Sequence, residues 1–256
     1  MSSVQKVDFL STGIKLVGDV FLPPGYSSNT KYPAVIIAHP MTGVREQAPH
    51  VYSKVLTLAG FICLTFDAAY QGESEGQPRY LEDPAQRAED VRAGVTYLSL
   101  RKDVDPERIG ALVATVSGAC TGRMTREGLV EGMGGPEMLQ QSIKAANEAR
   151  LTEAKGQQDP VSPAFPPTVQ DAPPEYPPIA KELAEYYKTP RGQHECAPGL
   201  FATRSADLLA NFDAYAFNYL ISPRPLFMIA GADASTKYYS EDAMTSAPCS
   251  KSFGRR

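Results

Sequence analysis

Ser74 lies in Gly72–Gly76, GESEG, which matches G-x-S-x-G letter for letter, and Ser117 closes the apolar run of VATVSGAC just before Gly118. Each is a possible nucleophile for acyl chemistry. A serine hydroxyl attacks a carbonyl only when a neighbouring imidazole takes its proton, and the histidines available are His39, His50 and His194. A nucleophile elbow must run straight into a helix. GESEG is followed instead by Gln77-Pro78-Arg79-Tyr80, so Ser74 reads as a loop residue. Ser117 has two readings, a nucleophile at a strand end or a strand end entering a tight turn, and Cys120 is either a second nucleophile or a buried thiol. Spacing alone gives neither of them a base.

Other chemistries find no support. Cys63, Cys120, Cys196 and Cys249 are scattered singly, without the close pairing of a metal site or redox dithiol. No G-x-x-x-x-G-K phosphate loop and no dinucleotide fingerprint occurs, so no cofactor and no metal are expected. The net charge of -4 offers no basic face to nucleic acid and no polybasic signal for a membrane. MSSVQKVDFL lacks the apolar core of a secretory signal, and runs such as AVIIA are too short to span a bilayer. A cytoplasmic protein with a small-molecule partner is expected.

The elements that must position these residues alternate between two periods. Val7 to Leu22 alternates apolar and polar residues around Thr12-Gly13, as a β-hairpin does. AVIIA before His39 and FICLTF before Asp67 are continuous apolar runs, the mark of parallel strands buried on both faces. Helical spacing covers Gln47 to Gly60, and Asp83-Pro84 opens a second helix with a cap and a first-turn proline. VDPERIGALVATVSGAC reads as one further strand. Residues 201–256 add a helix over SADLLANFDAYAFNYL, a parallel-type strand in RPLFMIAGAD and a frayed tail. The order strand, helix, strand, helix gives an α/β fold with a doubly wound, mostly parallel sheet.

Between these parts DPVSPAFPPTVQDAPPEYPPIAKEL is too rich in proline for a sheet or an unbroken helix. Phe165, Tyr176, Tyr186 and Tyr187 supply apolar anchors that a spacer would not need. Residues 1–122 therefore read as the N-terminal part of the core, 123–200 as an inserted helical lid, and 201–256 as the C-terminal part of the core. At 256 residues and 43% hydrophobic composition, one domain with an insertion suffices.

With AHPMTG, FDAAYQGESEG and PRPLFMIAGAD in this order, the chain resembles the α/β-hydrolase superfamily, in the branch that includes fungal polyketide transferases and thiohydrolases. The resemblance implies a Ser-His-acid triad acting on an acyl or polyketide thioester, with a polyketide synthase carrier domain as a possible partner. It implies that the loop after AVIIA gives a backbone N-H to the oxyanion near Met41, with His39 and Gly43 shaping the turn. It places the acid at Asp233, or at Asp242 or a position shifted by one or two. Asp67 is expected to stabilise its loop.

The same resemblance exposes a gap. RIGAL should lead into an elbow, a helix and a return strand like VATVSGAC, but here RIGAL runs straight into VATVSGAC. About twenty residues are missing where a parallel crossover needs at least about a dozen. The family histidine should follow the acid, yet the last histidine is His194, and the chain is expected to stop short of that place. Two expectations follow: a frame that is inactive as written, and low stability, because lost crossover packing leaves apolar surface wet at roughly 25 cal/mol per Å².

Overall fold

The computed structural model describes residues 3–110, 113–116, 118–130, 133–168, 170–173, 177–223, 226–247 and 251–255. Ser117, Tyr176 and Cys249 lie outside them. The chain divides into two compact units, Met1–Gly110 with Gly156–Ser205, and Ala111–Lys155 with Ala206–Arg256.

The first unit is built on a five-stranded sheet in the order β1-β2-β4-β3-β5. β1 (Ser3–Ser11) and β2 (Ile14–Leu22) form the expected hairpin. Its turn works because Thr12 and Gly13 both take positive φ, 47° and 86°, which gives a turn twist matching that of the strands. β2 pairs antiparallel with β4 (Ile62–Phe66), and β4 pairs parallel with β3 (Tyr32–Ala38).

Alternation along these strands sends successive side chains to opposite faces. On one face Leu16, Val20, Ile36, Leu64 and Phe66 pack against α2 (Pro84–Ser99), with Leu98 buried among them. Gly94 lets this helix come close, since a Cβ there would stand 3.3 Å from Ile36. On the other face α1 (Ala48–Leu58) lies over Phe21, whose ring meets His50 edge-on at 4.8 Å. Small buried residues, Ser53 and Thr57, turn α1 toward the sheet. Asp83 caps α2 by accepting N-H bonds from Ala85 and Gln86.

The later segment of this unit is tied down by contacts of its own. β7 (Val161–Pro163) pairs with β8 (Leu200–Ala202), and between them α5 (Pro178–Tyr187) brings Tyr187 onto the Phe165 ring at 5.5 Å. Lys188 sits over that ring and donates to the Pro198 carbonyl. Ala202 N-H donates to the Tyr80 carbonyl, and Glu82 N-H to Ser205 Oγ.

The second unit holds a parallel three-stranded sheet, β10-β9-β6, made of β6 (Val113–Val116), β9 (Leu226–Ala230) and β10 (Lys251–Arg255). Leu226 and Met228 pack with Ala243 and Met244 of α7 (Lys237–Ser246). α3 (Thr121–Glu127) and α4 (Pro136–Ala154) precede α6 (Ser205–Ala210). Gly122 allows the Phe212 carbonyl in so closely that a Cβ would lie 1.7 Å from it.

Three sequence expectations need correction. VDPERIGALVATVSGAC is two strands, β5 (Val104–Ile109) and β6, in different sheets. β5 meets β3 at Tyr32↔Val104 and Ala34↔Ile109 with an irregularity between, because Pro106 cannot donate to a ladder and Glu107 N-H turns back to Asp105. SADLLANFDAYAFNYL breaks into α6 and a 3-10 turn, Asn218–Ile221. The tail carries β10, which the absence of periodicity in so short a strand concealed. Residues 110 to 112 are all that join β5 to β6.

Replacing the α2 cap, Asp83→Ala, is expected to lower stability by about 1 kcal/mol in urea unfolding, with Asp83→Asn near neutral.

Candidate active site

Two loops of the first unit build the candidate site: His39–Gln47, between β3 and α1, and Asp67–Gly76, after β4. His39 is buried, and its ring bridges these loops. Nε2 accepts the Ala68 N-H at 3.0 Å and Nδ1 donates to the Pro40 carbonyl at 2.8 Å. Burial, reinforced by the Arg87 guanidinium, lowers its pKa to about 3. A neutral imidazole with both nitrogens engaged holds the loop and moves no proton.

The next residues are held in an unusual backbone. Thr42 takes φ 61°, its N-H donates to Glu82 Oε1 at 2.9 Å, and Gly43 N-H donates to the Pro40 carbonyl. Glu82 is buried and is held by Arg87 and Gln71. Met41 is half-buried, and among the described residues no acceptor takes its backbone N-H. An unclaimed N-H beside an ordered turn is what an oxyanion donor requires.

Ser74 is part of the scaffold. Its hydroxyl donates to the Asp67 carbonyl at 2.6 Å and accepts the Val17 N-H at 2.9 Å. Asp67 is fully buried, taking the Arg45 and Glu73 N-H groups on its two oxygens. Gly72, with φ 50°, must be glycine, since a Cβ would stand 2.3 Å from the Asp67 carboxylate.

The strongest electrostatic feature was not singled out from the sequence. Arg45, 4% exposed, places its guanidinium among four carboxylates: Asp19 at 3.0 Å, Glu46 at 2.8 Å, and Asp67 and Glu73 closer still. Burial disfavours its charge, but these partners outweigh burial and raise its pKa. Burial pushes Asp19 up, while hydrogen bonds from His50 and Arg45 outweigh that and leave it lowered. Glu46 is raised by burial and by the charge of Asp67. Oxygens of Glu46, Asp67 and Glu73 lie within 4.8 Å of one another, a spacing able to hold a metal ion, and the Arg45 guanidinium fills the place.

His50 Nε2 bonds Asp19 at 2.9 Å, so this imidazole is an internal partner of a carboxylate. His194 Nδ1 accepts the Cys196 N-H at 3.2 Å, in a segment tied to the first loop by Gln47 Nε2 donating to the Gly192 carbonyl. Cys63 is buried, which pushes its thiol up to about 12. Cys120 Sγ accepts the Ala214 N-H. Among the described residues no imidazole bonds a hydroxyl or thiol.

In the second unit Asp233 is exposed in the turn after β9. The alternative acid, Asp242, pairs with Arg123 at 2.7 Å. Ser117 falls outside the described residues. The structure thus brings His39 and Met41 together in one loop.

Ser74→Ala is expected to cost about 1–3 kcal/mol, because it strands the buried Val17 N-H; chemical unfolding measures this. His39 should keep its imidazole NMR shifts from pH 8 to pH 5. Its pKa is depressed on folding, so its stabilising contribution is present above the ordinary value of 6.5 and is lost as pH falls below it toward about 3.

No family model matches the chain. The uncharacterized protein YcjY of Escherichia coli is 32% identical over 262 residues, covering 93% of this chain and 84% of that protein. The thiohydrolase aneE of Aspergillus aculeatus is 35% identical over 116 residues, covering 45% of this chain and 35% of its own length. The crystal structure of the α/β hydrolase GrgF from Penicillium superposes with a TM-score of 0.78 at 19% identity, covering 99% of this chain and 90% of that one. Two buried loops at the strand ends of a mixed sheet and a positive-φ turn with an unclaimed N-H sit in a fold shared with the α/β hydrolase GrgF, and a stretch of the chain is similar to the fungal thiohydrolases and polyketide transferases; by its match to YcjY over most of both lengths, the chain belongs to the family of that protein.

Proposed function

We propose that the reaction native to this frame is release or transfer of an acyl chain, of polyketide type, from a thioester in secondary metabolite biosynthesis, and that this chain is an inactive member, a pseudohydrolase. In the reaction a hydroxyl loses its proton to an imidazole and attacks the thioester carbonyl; the C–S bond breaks, and the thiolate takes that proton from the imidazolium and leaves as a thiol. The acyl-enzyme then passes the chain to water or an alcohol. The thiohydrolase relative supports the substrate class.

The observation that carries inactivity is the allocation of the imidazoles. His39 bridges two backbone groups, His50 is bound to Asp19, and His194 accepts a backbone N-H. Such chemistry needs a base within hydrogen-bond reach of its nucleophile. The free Met41 N-H supports a remaining affinity for a carbonyl oxygen, with a small acyl molecule as the ligand. A carrier domain presenting that acyl group is the corresponding protein partner.

The test uses a fluorophosphonate serine probe together with short-chain acyl thioesters. The purified chain is expected to take up no label and to release no thiol above the buffer rate. Labelling that disappears in Ser117→Ala or Ser74→Ala would overturn the inactive reading. So would genomic sequence between the codons of Leu112 and Val113 that encodes an in-frame elbow.

A further inference from the structure

We propose that Glu46 is a proton-operated latch on the loop between β3 and α1: protonated, it lets the carboxylates close on Arg45, and deprotonated, it loosens the loop and the segment around His194. This goes beyond the proposed function and does not depend on whether the chain turns over substrate.

Charge and geometry motivate it. One guanidinium faces four carboxylates, Asp19, Glu46, Asp67 and Glu73. Lys6 offsets part of this at Glu73, on its exposed side. Asp67 and Asp19 are fixed by other donors, the backbone N-H groups of Arg45 and Glu73 for the first and His50 for the second. Glu46 differs: Oε1 meets Arg45, while Oε2 is buried and, among the described residues, has no hydrogen-bond partner. A buried carboxylate oxygen that accepts nothing, beside other carboxylates, is where a proton is cheapest to add.

The groups facing it come from every neighbouring element. β2 supplies Asp19, the loop after β4 supplies Asp67 and Glu73, and its own loop and α1 supply Arg45 and His50. The segment of residues 190–199 supplies His194, whose charge favours the ionised form, and Cys196, on whose thiol Glu46 acts. That segment is held to the loop by Gln47 and Gly192.

The signs are opposed. Glu46 is raised on folding, so its stabilising contribution is present below its ordinary value of 4.5 and is lost as pH rises through the raised value. Asp19 is lowered, so its contribution is present above 3.8 and is lost as pH falls through the lowered value. The latch is therefore tightest in mild acid.

Amide hydrogen exchange of Thr42, Arg45 and Gln47, corrected for intrinsic rates, reads the loop from pH 4, below the ordinary Glu46 value, to pH 8. Protection in the parent is expected to drop by about threefold or more as pH rises, while Glu46→Gln, which mimics the protonated acid, stays flat. An equal drop in both proteins, or no drop in the parent, would overturn the latch. So would a drop that persists in Glu46→Gln and vanishes in His50→Asn or His194→Asn. Should Glu46→Gln not fold, the side-chain carbonyl carbon of Glu46 is titrated by NMR in the parent: a midpoint above 4.5 supports the latch, and one at or below 4.5 sinks it.

Discussion

A guanidinium almost sealed from water keeps its charge only if anions surround it, and the first unit is arranged around this requirement at Arg45. Its partners come from three separate places: β2, the loop after β4, and its own loop between β3 and α1. Removing the guanidinium would leave the buried carboxylates of Asp19 and Asp67 without their shared counter-charge, a far larger penalty than loss of an exposed pair. The His-Pro turn is pinned at both sides as a result. Thr42 is held by Glu82 and Arg45 N-H by Asp67, so the Met41 N-H between them is fixed without being used.

The same arrangement separates what holds the frame's shape from what acyl chemistry would ask of it. Sheet, helices and turn are specified by apolar runs, caps and buried ion pairs, which need no elbow. The three imidazoles are part of that arrangement: His39 bonds the Ala68 N-H and the Pro40 carbonyl, His50 bonds Asp19, and His194 accepts the Cys196 N-H. His39 illustrates the trade: the burial that fixes the loop is what keeps the ring neutral.

What the sequence made legible was what local periodicity and turn chemistry encode. The Thr12-Gly13 hairpin, the AVIIA and FICLTF strands and the Asp83-Pro84 helix start were readable because each signal lies within a few residues. Ser74 was readable as scaffold because Gln77-Pro78 forbids an elbow helix. The break between β5 and β6 was not, since Ile109 to Val116 runs on without a charged residue or proline and only pairing partners far along the chain divide the two strands. β10 was hidden for a related reason: a short parallel strand takes its stability from β9. Arg45 escaped because one cation among ordinary acids has no sequence signature; Asp19, Glu46, Asp67 and Glu73 converge only after folding.

The division of the chain has a mechanical consequence. The polypeptide passes from one compact unit to the other three times, after Gly110, after Lys155 and after Ser205. A protease that nicks a single one of these passages leaves two covalent tethers intact, so neither half is set free. Fragments would part only after multiple cuts or under denaturant, and a clipped molecule would still migrate as a single particle under native conditions.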